Sequence, residues 1–99
     1  MSYLIRDAER IRACVPAGTE MPDDSDDLFL LYAVLLRVKG TAVTERDVHE
    51  AWVAWMELRG QQHDSMRPFQ ELTADVRAED TPFVLAIRRA SAETSSATL

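Results

Sequence analysis

The sequence predicts an all-α protein, a compact bundle of four to five helices. Three observations carry that reading. Apolar residues recur at three- and four-residue spacing in separate stretches. Those stretches are bracketed by helix start and stop signals, with Ser, Thr or Asp before them and Gly or Pro after. No strand-type alternation runs for a useful length, and no internal repeat is visible.

Helix 1 is expected over Ser2 to Val15. Leu4, Ala8, Ile11 and Val15 form a narrow apolar stripe that Ile5 widens, and Arg6, Asp7, Glu9, Arg10 and Arg12 cover the rest. Pro16 ends it, because the residue before a proline avoids helical angles. Ala17 to Pro22 then form a loop pivoting on Gly18. Asp23, Asp24, Asp26 and Asp27 crowd in front of an apolar run, as suits a helix N-terminus with its free N–H groups. A calcium loop is a poor alternative, since its central Gly and terminal Glu are missing. Helix 2 follows over Asp26 to Lys39, closed by Gly40. Leu28 through Leu36 is unbroken apolar sequence, which predicts burial on every side. Such a helix is either the centre of the bundle or partly an interface between two copies.

Thr41 to Val43 is a tight link into the clearest helix of the chain. Thr44 can cap it, with Asp47 three residues on to complete a capping box, and Gly60 supplies the left-handed stop. Val48, Trp52, Trp55, Met56 and Arg59 share one face, with His49 at its edge. Glu50, Ala54 and Glu57 mark the wet side. Residues 61–67 make a polar loop, and Pro68 to Leu72 a tight bend. Thr73 caps a short helix from Ala74 to Glu79. Thr81 and Pro82 start the last helix, whose inward face is Phe83, Val84 and Ile87. Residues 1–90 thus form one helical domain, and 91–99 are expected to be a disordered polar tail.

Eleven basic against seventeen acidic residues leave a net charge of −6, which argues against binding to nucleic acid phosphates or anionic membrane. Acids on the outer face of the helix between Thr44 and Gly60 also count against its use as a DNA-reading helix. The single cysteine, Cys14, cannot form an internal disulfide, which fits a reducing cytoplasm. The charged N-terminus does not resemble a secretory signal, and no apolar run approaches the ~20 residues of a membrane span.

No catalytic constellation stands out, so no enzyme activity is expected. Neighbours such as His49 and Glu50 point about 100° apart on a helix. Cys14, His49 and His63 have no metal-ligand spacing, and neither metal nor cofactor is expected. The residues do offer a recognition surface. Trp52 can stack on a ring, His49 and His63 can hydrogen-bond, and Arg59 and Arg67 can fork onto oxygens. The competing reading makes Trp52 core, His49 the owner of a buried hydrogen bond, and Arg59 a helix-end charge.

The segment VHEAWVAWMELRG, with HDSMRPFQELTADVRAEDTPFVLAI after it, resembles the ryanodine-receptor repeat (RyR) domain. The matching positions are His49, Glu50, Trp52, Gly60, His63, Met66, Pro68, Phe69, Leu72, Arg77 and Asp80. The likeness covers about the C-terminal half. It departs where that family carries a longer aromatic insert before its His, since only Gln61 and Gln62 separate Gly60 from His63 here. The whole chain is also similar to small proteins of actinobacteria and their phages. The resemblance implies a helical repeat without catalysis that binds a nucleotide-derived anionic ligand. Trp52 would stack, with His49 and Glu50 beside it. Repeats of this kind come in pairs, which implies a homodimer here. Such a protein could sense or sequester a defence signal. The alternative is a protein–protein interaction module with an acidic surface.

Overall fold

Ser2 opens the first helix by accepting the Leu4 N–H on its hydroxyl. The computed structural model describes the backbone of residues 2–97 and the side chains of residues 2–93. Five α-helices run in order: α1 Tyr3–Cys14, α2 Asp26–Lys39, α3 Glu45–Leu58, α4 Ala74–Ala78 and α5 Thr81–Ala97. Short 3-10 turns at Gly40–Ala42 and Phe69–Glu71 join them. There is no strand among the described residues, and none of the helices there is long and apolar enough to cross a membrane. The all-α bundle expected from the sequence is what forms.

Helix α2 is central and packs against α1, α3 and α5. Leu28, Phe29, Tyr32, Ala33 and Leu36 are its buried positions. Their spacing places them on one broad face, so the expected all-round burial is only partly met. Val34 and Val38, on the opposite side, are 43% and 70% exposed. Phe29, Tyr32 and Phe83 form a ring cluster with centroids 5.2 to 6.3 Å apart, which ties α2 to α5. Ile11 from α1 and Ile87 from α5 complete the centre, both wholly buried. Burying each such side chain stabilises the fold by roughly 1.5–3 kcal/mol.

Helix α3 has the boundaries its sequence signals require. The Thr44 hydroxyl accepts the Asp47 N–H at 3.3 Å, and Asp47 Oδ2 accepts the Thr44 N–H at 2.9 Å. At the other end Gly60, at φ +67°, donates to the Glu57 carbonyl, and Gln61 donates to Met56. That pair of bonds is a Schellman stop. The conformation is strained for any residue with a Cβ.

Two expectations are corrected. Asp7 does not belong to the wet face of α1. It is 3% exposed and paired with Arg37 of α2. Nor does the chain become irregular at Ser91, because α5 continues to Ala97. No Gly or Pro interrupts it, and Ala90 is buried. Glu93 accepts from Arg89 one turn back and, at 3.9 Å, from the Cys14 thiol of α1. Residues 98 and 99 of the expected tail lie outside the described residues.

Candidate functional site

The two tryptophans of α3 have separate fates. Trp55 is 3% exposed and belongs to the core. Trp52 is three residues earlier, so it is rotated round the helix and only partly buried. Its ring forms a wall of a cavity of about 700 Å³. A space of that size lies within the range of small-molecule sites. His49 and His63 line the same cavity. Three of the six residues singled out from sequence therefore meet around one space.

His49 is 3% exposed. Its Nε2 lies 2.6 Å from the Arg67 carbonyl, so that nitrogen carries a proton and donates it. The bond ties α3 to the loop after it, while the ring sits between Trp52 and Phe69, at 5.9 and 6.1 Å. His63 stands edge-on to Trp52 at 5.3 Å. Its Nδ1 accepts the Ser65 N–H, which orients the ring. His49 thus owns a buried hydrogen bond and also lines the cavity.

Glu50, Arg59 and Arg67 do not line this space. Glu50 is exposed. The Arg59 guanidinium lies over the Trp55 ring, 4.3 Å from its centroid. The Arg67 side chain donates to the Asp64 carbonyl. Two more arginines of the C-terminal half are similarly engaged. Arg77 donates to the Phe69 and Gln70 carbonyls, and Arg88 makes two bonds to the Val43 carbonyl. A guanidinium held by a backbone carbonyl keeps a loop in place and is less available to a ligand.

Apart from Phe83, the remaining walls come from places where sequence periodicity is silent. The loop from Ala17 to Pro22 closes one side, with Gly18 at φ +84° and the Thr19 hydroxyl bonded to the Pro16 carbonyl. Tyr32 and Phe83 reach the cavity from the core. Glu79, Asp80 and Pro82 bring the α4–α5 junction to it. Tyr32 was hidden within an apolar run. Its phenol was the available signal, since a ring with a polar tip in such a run usually needs somewhere for that tip to go.

The electrostatics are acidic. Glu20, Glu79 and Asp80 are on the walls, and no Lys or Arg is among the described lining residues. Burial pushes the Asp80 carboxyl up to about 6. Glu79 and Glu45 add to that rise, and His49 opposes it. Burial also raises the Tyr32 phenol well above its ordinary range, with nearby Asp80 contributing. Among the described residues no group of His, Cys, Asp and Glu is arranged to hold a metal ion.

No curated protein and no solved structure matches the chain. A family model described as a domain of unknown function, DUF7701, matches residues 2–92, nearly the whole length, and the protein belongs to that family.

Proposed function

We propose that this protein is a non-enzymatic binding domain for a small ring-bearing molecule, held in the cavity beside Trp52. The observation that carries the reading is the convergence of Trp52, His49 and His63 on one space of about 700 Å³. An aromatic wall with a few oriented polar groups is the usual make-up of a small-molecule site. In this reading the two histidines hold and orient the walls: His49 Nε2 donates to the Arg67 carbonyl, and His63 Nδ1 accepts the Ser65 N–H.

The likeness of α3 and its following loop to the ryanodine-receptor repeat supports a nucleotide-derived ring as the ligand. Its anionic part has less support, because Arg59 and Arg67 are engaged away from the cavity. The ring, not the phosphate, is what the walls fit.

A homodimer would join two copies through the outer face of α2. Leu30 is half-buried there, and Val34 and Val38 are exposed in line with it. Sedimentation tests this part. The unaltered chain is expected as a dimer and Val38→Glu as a monomer, whereas a monomeric unaltered chain removes the dimer from the reading.

Binding is tested with the full chain and a panel of nucleosides, nucleotides and free heterocycles, followed by thermal unfolding. A ligand at 100 times its Kd adds about 2.7 kcal/mol of stability, which is readily seen. A folded protein whose unfolding no member of the panel shifts would overturn the reading.

A further inference from the structure

Resting on the cavity as a ligand site, we infer the charge class of its ligand: a small organic cation built on a flat ring, with its positive edge turned to Asp80.

The cavity has two kinds of wall. One is aromatic, with Trp52, Tyr32 and Phe83 on it beside the two imidazoles. The other is acidic, with Glu20, Glu79 and Asp80. A ring face carries partial negative charge, so both kinds of wall favour a cation. An anion would meet three carboxylates and no described cationic wall residue to offset them. The net charge of −6 adds a long-range field of the same sign.

A second observation is independent of the acids. Tyr32 is 2% exposed, yet no hydrogen bond of its hydroxyl is found among the described residues. No fully enclosed polar side-chain atom is left unsatisfied there either. The hydroxyl therefore retains some accessible surface, and Tyr32 is one of the residues that line the cavity. A phenol left this way in a core position provides a hydrogen-bonding group for whatever enters.

Asp80 is placed to supply the counter-charge. It precedes α5, and its backbone carbonyl receives the Phe83 and Val84 N–H groups, which fixes its position. Its carboxylate forms no ion pair and accepts no hydrogen bond among the described residues. The charged groups felt there are His49 and Glu45 from α3 and Glu79 from the end of α4, and the Tyr32 phenol of α2 is near. A partly desolvated carboxylate without a partner gains more from a cation than one in open water.

Three compounds sharing one ring test the inference: tryptamine as the cation, indole as the neutral form and indole-3-acetate as the anion. Binding to the full chain is followed by the NMR shifts of the His49, Trp52 and His63 rings. Tryptamine is expected to bind roughly tenfold or more tightly than indole-3-acetate and to shift these rings. Asp80→Asn is expected to remove most of that preference. Because the three compounds are compared on the unaltered chain, the result does not depend on how the variant folds. Equal or tighter binding of indole-3-acetate, or tryptamine shifts confined to other residues, overturns the charge class and leaves the cavity as a site. So does failure of all three when the wider panel yields a neutral or anionic ligand at these rings. Failure of both sets overturns the site itself.

Discussion

Arg37 Nε of α2 lies 2.7 Å from Oδ2 of Asp7 on α1, and the aspartate side chain is 5% exposed while the arginine's is 44% exposed. The pair is therefore lopsided. Arg37 can return to water, and it also lies over the Tyr3 ring. Asp7 cannot. Removing the arginine strands a charge inside the protein, whereas removing the carboxylate frees an arginine at the surface. Arg37→Ala is expected to lower Tm more than Asp7→Asn, with the double variant recovering part of the loss. A larger loss from Asp7→Asn would contradict the asymmetry.

The Thr44–Asp47 capping box holds the start of the helix that carries Trp52. Thr44→Ala removes the side-chain acceptor of the Asp47 N–H. A loss of about 1 kcal/mol is expected from urea unfolding, with α3 content otherwise kept. A change within error would mean that tertiary packing alone sets where α3 begins.

The two tryptophans should separate stability from binding. Trp55→Ala opens a hole in the core and is expected to cost about 3–5 kcal/mol, a large share of what a small domain has. Trp52→Ala is expected to cost about 1–2 kcal/mol, because its ring is only partly buried. Circular dichroism melts give the comparison. The Trp52 variant should remain folded and lose the response of the His49 and His63 rings to ligand.

Asp80 ties stability to pH. Its folded pKa of about 6 lies above the ordinary value of an unfolded aspartate, near 4. Protonation thus favours the fold. The contribution is complete below about pH 4 and is lost as pH rises through about 6. At pH 7 the ionised carboxylate weakens the fold. Asp80→Asn is then expected to be more stable by about 1 kcal/mol, a figure reduced for the solvent that still reaches the group. Near pH 4 the advantage should vanish. Urea titrations at the two pH values provide the check, and a variant less stable at pH 7 would show Asp80 to be a structural anchor.

Most of the helices were legible because their ends are written in short-range chemistry. Thr44, Asp47 and Gly60 act within a turn of themselves, and α3 has the limits they set. The same holds for the Thr73 cap of α4, whose hydroxyl accepts the Val76 N–H. Periodicity places Asp7 on the wet face because its partner is 30 residues away, and periodicity carries no knowledge of partners. Trp52, His49 and His63 were legible as a group because they lie on one helix and the loop behind it. Tyr32, Asp80 and the Ala17–Pro22 loop were not. They reach the cavity only after α2, α5 and the first loop have packed, and that arrangement depends on the whole bundle. In sequence Arg59 and Arg67 look free to fork onto a ligand, because sequence shows a charge without showing what already holds it.

The Ala17–Pro22 wall has a further consequence. It is a connector, with no residue among the buried core positions. Lengthening or shortening it would widen or narrow the mouth while leaving the helical frame untouched. On the proposed reading, a chain with a longer or shorter connector would take a differently sized ring compound on the same scaffold.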